Sequence, residues 1–273
     1  MAISVIVTTH NSEMHLENTL KSCSGFREVI VCDMGSTDAT LEIARNAGVK
    51  VIEFPCEGTY RTADPSRMTA MRAAKGIWVL FVRGDEIIPD DLHDYLMDFV
   101  KEAPDDISAI YIPRRNFVFN IWRRSTYPDF QLRFLRRDGT YWPEKDYSTP
   151  QIAGRAIKIP SKRTNLALVR LSDTVSGIVR QLNSDTTHLA EKDDHAGKGI
   201  SLARLVLSPT WVFLRAYFLR GACRYGIGGY VSAKNQAMKH YVRLAKLYER
   251  QLTSHKPDGN ILYELVHRER SSK

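Results

Sequence analysis

The first 86 residues alternate short apolar runs with segments of helical spacing, and this alternation constrains the fold more than any other feature. Residues 3–9, 29–32, 49–54 and 77–82 have the composition of strands, and apolar residues recur every three or four positions between them. Strands without polar alternation are buried on both faces, as in parallel sheets covered by helices. The sequence therefore predicts an α/β fold with a mostly parallel central sheet and helices on both faces.

Polar side chains follow three of these strands directly. In such sheets, ligands bind outside the carboxyl ends of the strands. A nucleotide bound there would need a stacking ring and a polar partner for its base, and a cation for its phosphates. We expect His10 to stack on the base, Asp33 to accept a base N–H and Asp85 to bind a divalent ion. A strand-end Asp is also a common helix cap, which is the role we expect for Asp38.

The chain beyond residue 90 is less regular. We predict a helix over 92–101, strands over 109–113 and 131–136, and amphipathic helices after residue 200. The expected division is residues 1–200 for the main domain, split into a donor-binding half (1–90) and an acceptor-side half (91–200), and residues 201–273 for a C-terminal helical extension.

The longest apolar stretch, Leu205 to Leu219, is interrupted by Ser208, Pro209 and Arg215. A helix needs about 20 residues to cross a bilayer, so we predict no span there. Aromatic residues interleaved with arginines fit instead a helix in a membrane interface, with peripheral contact to an anionic surface through residues 205–250. Ordinary packing of an amphipathic helix is the alternative.

Composition narrows the partners. The 39 Lys and Arg exceed the 31 Asp and Glu by eight, and the excess lies mostly beyond Pro113. It favours anionic partners such as phosphates or acidic lipids, and a solvated basic surface is the alternative. Nucleic-acid binding would rest on charge alone, so we expect none.

The four cysteines and the N-terminus bear on the compartment. Cys23, Cys32, Cys56 and Cys223 show no CxxC spacing, which predicts free thiols in a reducing compartment. The segment MAISVIVTTHN lacks a basic region and a cleavage site, so we expect a first strand rather than a signal peptide. We therefore expect a cytoplasmic protein, associated with the inner face of the cytoplasmic membrane if the extension binds lipid.

Four segments carry a family resemblance. They are SVIVTTHN (4–11), VIVCDMGSTDAT (29–40), SRMTAMRAAKGIWVLFVRGDE (66–86) and PDFQLRFLRR (128–137). In order and spacing they resemble segments of the family-2 glycosyltransferases with the GT-A fold, in particular the branch that includes lipopolysaccharide-core glucosyltransferases. The resemblance implies inverting transfer of a sugar from a nucleotide-diphosphate sugar, with a UDP-sugar favoured. The acceptor it implies is a hydroxyl of a cell-envelope glycan or of a lipid-linked molecule.

The resemblance also implies roles for the donor-binding residues. Thr8, His10 and Asn11 match the segment that cradles the nucleoside, with His10 at a position where the family usually has Tyr. Asp33 matches the acidic residue that contacts the base. Arg67 matches an arginine near the donor diphosphate, and a helix-surface arginine is the alternative.

The metal motif departs from the family pattern. Asp85 occupies the last position of the DxD-like motif, whose first Asp is replaced here by Arg83. A guanidinium offers permanent charge and forked donors to phosphate oxygens. We expect Mg²⁺ or Mn²⁺ at Asp85, bound weakly or made dispensable by Arg83.

The residues at the family's catalytic-base positions also differ from the family pattern. Inverting transfer needs a group that deprotonates the acceptor hydroxyl. The branch usually supplies a His-Glu pair, but the matching residues are Tyr147 and Ser148. Glu144, Asp146 and Asp129 are our candidates, and each is also explained as a surface carboxylate.

Two other functions stay open. A non-catalytic relative that binds sugar nucleotides would explain both departures. A nucleotidyltransferase has a similar sheet, but it normally carries a glycine-rich loop after the first strand, and TTHNSEMH has no glycine. The missing GxGxxG motif also disfavours a dinucleotide oxidoreductase.

Overall fold

A computed structural model describes residues 3–54, 62–172 and 175–254. The chain divides into two compact units, Met1–Thr174 and Val175–Lys273. The helical unit thus begins at Val175, whereas the sequence placed the start of the extension at residue 201. Cys56 and the last residues of the predicted extension lie outside the described residues.

The first unit contains the strands and the shorter helices. Its strands are β1 (Ile3–Thr9), β2 (Glu28–Asp33), β3 (Lys50–Glu53), β4 (Trp78–Arg83), β5 (Glu86–Ile87), β6 (Ile107–Ile112), β7 (Arg114–Val118), β8 (Ile121–Trp122), β9 (Gln131–Arg136), β10 (Thr140–Tyr141), β11 (Gln151–Ile152), β12 (Arg155–Lys158) and β13 (Leu168–Ser172). Its α-helices are α1 (Glu13–Ser22), α2 (Thr40–Asn46), α3 (Asp64–Ala73) and α4 (Asp90–Phe99).

The main sheet has seven strands in the order β12-β6-β9-β4-β1-β2-β3. All of them run parallel except β9, which is antiparallel to its neighbours β4 and β6. The predicted mostly parallel sheet is therefore confirmed. The strands β2 and β3 lie on one side of β1 and β4 lies on the other, so the strand order reverses beside β1. Such sheets bind ligands at this point.

The sheet is buried on both faces, as its apolar strands predicted. Along β4, Trp78, Leu80 and Val82 belong to one core cluster, and Val79 and Phe81 belong to the other. Helices α1, α2 and α4 cover the first face, and α3 covers the second. Because side chains alternate along a strand, each apolar run serves both layers.

The sheet directions gather charged residues at one edge. The strands β4 and β6 are parallel, so Arg83 and Arg114 both lie at or just beyond their carboxyl ends. The strand β9 runs the other way, which places Arg133, near its start, at the same edge. A smaller sheet, in the order β5-β13-β7-β8, pairs Arg170 with Glu86 there.

The second unit is helical. It consists of α5 (Val175–His195), α6 (Leu202–Leu214), a π-helical turn (Arg215–Leu219), a 3-10 turn (Ala222–Tyr225) and α7 (Gly226–Ser254). Helix α7 packs against both α5 and α6. The carboxylate of Asp193 is buried and accepts hydrogen bonds from Arg243 and Lys198, and these bonds lower the pKa of Asp193 to about 2.

The helical run Leu202–Leu219 is longer than the sequence suggested. It has 18 residues, a mean hydropathy of 1.2 and only 11% of its residues buried. It continues through Pro209 and Arg215 without a break. By length and composition alone it is therefore a candidate membrane-crossing helix among the described residues, and the absence of a span stays a prediction.

Candidate functional site

The loops after β1 and β2 are tied together by Asp33. Its Oδ1 accepts hydrogen bonds from Thr9 Oγ1 (2.8 Å) and Ser36 Oγ (2.5 Å), and its Oδ2 accepts one from the backbone of Ser36 (2.8 Å). The residue is 1% exposed. In this structure Asp33 shapes the loop, and its contact with a nucleotide base stays a prediction.

The three residues predicted to cradle a nucleoside differ from one another in exposure and in hydrogen bonding. The exposed His10 donates its Nδ1 hydrogen to the carbonyl of Met34 at 2.9 Å, which fixes the ring at the sheet edge. Asn11 has a left-handed backbone (φ 49°), and its side-chain oxygen accepts a bond from the Thr37 amide. The side chain of Thr8 is buried inside the sheet. A nucleoside at this edge could reach His10 and Asn11 but not the side chain of Thr8.

Gly84 allows the end of β4 to pack against the loop after β1. A Cβ at this position would lie 2.7 Å from Cβ and Oγ of Ser12 and 3.2 Å from Thr9. The Gly84 amide also donates to the Thr8 carbonyl at 3.0 Å. Glycine is therefore required for this close approach of the two strand ends.

Asp38 lies where two helices begin. Its carboxylate accepts hydrogen bonds from the amides of Thr40 (3.0 Å) and Glu13 (3.2 Å), at the starts of α2 and α1. Burial opposes ionisation, but these bonds lower the pKa of Asp38. Asp38 thus accepts hydrogen bonds from amides at two helix starts, but the N-cap of α2 is Ala39, so the predicted N-cap position was one residue off.

Asp85 is held by two arginines. Its Oδ1 accepts a bond from Arg83 Nε at 3.0 Å, and its Oδ2 accepts one from Arg170 Nε at 2.9 Å. Burial opposes ionisation, but the charges of Arg170 and Arg83 outweigh it and hold the pKa of Asp85 well below its ordinary range. Asp85 is therefore an ionised partner of guanidinium groups.

Glu86 anchors a second part of the same network. Its buried carboxylate is 2.7 Å from Arg114 Nη1 and 3.6 Å from Arg133 Nη2, and it accepts a bond from the Arg83 amide at 3.0 Å. Arg114 also binds Asp129 at 2.7 Å. Four carboxylates and five arginines interact in this region, namely Asp64, Asp85, Glu86 and Asp129 with Arg67, Arg83, Arg114, Arg133 and Arg170.

A cavity of about 360 Å³ opens beside this network. Arg67 lines it, with its guanidinium 4.2 Å from the ring centroid of Trp142 and its Nη1 3.1 Å from Asp64. Burial and the nearby charge of Arg133 lower the pKa of Arg67 to about 9. Other lining residues are Tyr111, Gln131, Leu132, Arg133, Tyr147, Ser148, Thr149 and Pro150.

The three predicted catalytic bases do not converge on this cavity. Asp129 accepts bonds from Arg114, Asn116 and Gln131, which outweigh burial and lower its pKa. Asp146 accepts bonds from the amide and hydroxyl of Thr62, and Glu144 is exposed. Asp64 is the one carboxylate among the described residues that line the cavity.

The donor set around Asp85 does not fit a divalent cation. Mg²⁺ and similar ions need several oxygen ligands in near-octahedral arrangement, whereas both oxygens of Asp85 are bonded to guanidinium groups. In the described residues, no group of three or more His, Cys, Asp or Glu side chains could hold a metal. The arrangement therefore does not support the metal-binding role predicted for Asp85.

Sequence reasoning missed several residues of the site. The sequence did not predict a site role for Arg114, Arg133 or Arg170, because their carboxylate partners are distant in the sequence. Asp64 precedes Pro65, a pattern typical of a helix start that needs no further explanation. The PDFQLRFLRR segment was a usable signal for Arg133, because it belongs to the family resemblance.

Comparisons with known proteins agree with this geometry. Residues 4–159 match the family described as Glycosyl transferase family 2. The lipopolysaccharide core biosynthesis glycosyltransferase LpsC of Rhizobium meliloti is 23% identical over 267 residues, covering 94% of this chain and 96% of its own length. The poly(ribitol-phosphate) beta-N-acetylglucosaminyltransferase TarS of Staphylococcus aureus is 30% identical over 172 residues, covering 59% of this chain and 30% of its own length.

One solved structure supports the fold. The mannosyltransferase PcManGT from Pyrobaculum calidifontis, determined in complex with GDP-Man and Mn²⁺, matches with a TM-score of 0.52 at 16% identity. The match covers 90% of this chain and 86% of that one. Since the family match covers more than half of the sequence, this chain belongs to glycosyl transferase family 2 and has the GT-A fold.

Proposed function

We propose that the chain is an inverting glycosyltransferase that moves a sugar from a nucleoside diphosphate sugar to a hydroxyl of a cell-envelope glycan or lipid-linked acceptor. The arginine-lined cavity at the carboxyl edge of the sheet carries this proposal, because it offers cationic donors where the donor's diphosphate would lie. The acceptor class is supported by LpsC, whose name places it in lipopolysaccharide core biosynthesis.

The donor would occupy the edge in three parts. The nucleoside would lie by His10 and Asn11, the diphosphate by the arginines, and the sugar in the cavity beside Trp142. A UDP-sugar is the donor that the sequence resemblance implies. A thermal-shift screen with UDP-, GDP- and dTDP-sugars tests this choice, and the proposed donor should raise the melting temperature most.

Asp64 is the base in this proposal. The acceptor oxygen bonds to the anomeric carbon, the bond from that carbon to the diphosphate breaks, and the hydroxyl proton passes to the Asp64 carboxylate. Arg67 holds that carboxylate at 3.1 Å, which fixes its position beside the cavity. Asp146, Glu144 and Asp129 remain the candidates that the sequence suggested.

Substitutions separate these assignments. Asp64→Asn keeps the shape of the side chain but removes the base, so it should lower kcat about 100-fold or more while donor binding persists. Asp98→Asn is the matched control, because this carboxylate on α4 is 76% exposed and pairs only with Lys101 in the ion pairs described, and it should leave kcat unchanged. If Asp64→Asn keeps wild-type kcat, the assignment of the base is wrong.

Donor hydrolysis tests catalysis itself. A live transferase releases some sugar to water even without acceptor, whereas a non-catalytic relative would bind the donor without turnover. A nucleotidyltransferase would instead release pyrophosphate from a nucleoside triphosphate and a sugar phosphate. Measuring free sugar and pyrophosphate from the same preparation decides among the three.

The helical unit would bring the enzyme to the cytoplasmic face of a membrane. Between His195 and Tyr248 the sequence has nine Lys or Arg and no Asp or Glu. Leu207, Trp211 and Phe218 on the Leu202–Leu219 run are all more than half exposed. Three of these nine, Lys198, Lys239 and Arg243, pair with Asp193 or Asp185 of α5. Apolar side chains on a segment without acidic residues of its own suit an anionic lipid surface.

A further inference from the structure

The position of Arg83 suggests how this site holds phosphate. Its Nε binds Asp85 at 3.0 Å, and its side chain is 39% exposed. Asp85 is its one hydrogen-bonded side-chain partner within the described chain. The two terminal nitrogens of Arg83 therefore have no side-chain acceptor among the described residues and are available to a ligand.

Two buried arginines beside it also have donors without acceptors. Arg67 Nε, and Nε and Nη1 of Arg133, have no hydrogen-bond partner in the part of the chain that the structure describes. The side chains of Arg67 and Arg133 are only 10% and 4% exposed, and both line the cavity. A buried donor without an acceptor is costly, so these groups favour an anion with several oxygens.

The charges of the network point the same way. With Arg123, whose charge acts on Arg170 and Asp129, six arginines face four carboxylates, which leaves two positive charges in excess within a largely buried cluster. Arg133 and Arg83 both lower the pKa of Arg67, after burial itself, because their charges lie close to it. An anionic ligand would relieve this repulsion.

We propose that Arg67, Arg83 and Arg133 hold the donor's diphosphate directly, so that guanidinium groups replace the divalent cation at this site. The inference rests on the proposed function for the identity of the donor, but the arginine cradle itself is a site for any diphosphate. Guanidinium groups suit this task because their forked donors match phosphate oxygens and their charge is permanent.

Calorimetric titration of the full chain with UDP and with inorganic pyrophosphate tests the cradle. Both ligands should bind equally well in EDTA and in Mn²⁺. Arg83→Gln should weaken both about 10- to 100-fold, because one charged hydrogen-bonding group is lost. Arg83→Asp should weaken pyrophosphate binding further. Mn²⁺ should improve UDP binding by this variant, although it should leave UDP binding by the wild type unchanged.

Arg155→Gln is the matched control. This exposed arginine of β12 pairs with Asp106, and neither residue lines the cavity, so its loss should leave UDP and pyrophosphate binding unchanged. Arg67→Lys provides a second test that keeps the charge but loses the fork, and it should weaken pyrophosphate binding. Thermal unfolding of each variant shows that the fold is retained.

The outcomes separate this inference from the proposed function. Pyrophosphate binding that needs Mn²⁺, or that Arg83→Gln leaves intact, overturns the arginine cradle. Metal-independent pyrophosphate binding that depends on Arg83, together with no binding of any nucleoside diphosphate, upholds the cradle and refutes the proposed donor.

Discussion

Replacement of Glu86 by Gln tests the charge network most directly. The Glu86 carboxylate is fully buried and lies 2.7 Å from Arg114 and 3.6 Å from Arg133. It also accepts a hydrogen bond from the Arg83 amide. Glu86→Gln keeps the size of the side chain but removes the negative charge that Glu86 presents to Arg114 and Arg133. Removing one partner of a buried ion pair costs about 3–5 kcal/mol, and we expect that loss in the free energy of unfolding.

Urea denaturation followed by tryptophan fluorescence measures the loss. The control is Arg155→Gln, which breaks an ion pair whose two side chains are 61% and 59% exposed. Exposed pairs contribute about 0–1 kcal/mol, so this variant should unfold almost as the wild type does. If Glu86→Gln is no more destabilising than Arg155→Gln, the buried network does not stabilise the site as we argue.

The pH dependence gives the same test an independent readout. Burial opposes ionisation of Glu86, but Arg133 and Arg114 outweigh it and lower its pKa from the ordinary 4.5. A carboxyl with a lowered folded pKa stabilises the protein fully above its unfolded pKa and loses that contribution as the pH falls through the folded value. Glu86→Gln should therefore lose less stability than the wild type when the pH falls below about 5.

Three further outcomes are expected. Gly84→Ala should cost about 1–3 kcal/mol and weaken UDP binding, because the added Cβ crowds the loop after β1; equal melting temperatures would contradict this. A thiol reagent should label the exposed Cys223 but spare Cys23 and Cys32, whose pKa values burial raises to about 12 and 11, as peptide mass spectrometry would show. Trp211 fluorescence should shift to the blue with phosphatidylglycerol vesicles, and an equal shift with phosphatidylcholine would argue against electrostatic attraction.

The first half of the fold could be predicted because its signals are local. Each of β1, β2 and β4 is a continuous apolar run, and a strand buried on both faces has to be one. Even the strand β9 was predicted correctly, at 131–136, although its antiparallel direction has no local signal.

The second half gave weaker signals. The strands β5 and β8 have two residues each, and β7 begins with two arginines, so none shows a periodic pattern. Helix α5 was not predicted, since it is rich in Ser, Thr, Asn and Asp, which are poor helix formers. Its packing against α7 stabilises it, and that contact joins distant parts of the sequence.

The site residues divide in the same way into those with local sequence signals and those without. The strand-end residues were found because a parallel sheet gathers its carboxyl ends at one edge. Their partners were not, because Arg114 and Arg170 reach Glu86 and Asp85 from the smaller sheet that the sequence did not reveal. The roles of Asp129 and Asp146 as hydrogen-bond acceptors within the protein were hidden for the same reason.

The substitution at position 83 is best understood through the whole network. With the family's Asp at this position, five arginines, Arg123 included, would face five carboxylates, so a bound divalent cation would meet no excess of positive charge. With Arg83, six arginines face four carboxylates, a net charge of +2 that suits a diphosphate without a metal. One residue thus changes the cluster by two charges, and the pairing of Asp85 with Arg83 and Arg170 is the structural consequence. Under the proposed arginine cradle, the departure from the family pattern is a different way of binding the same anion and does not require loss of donor binding.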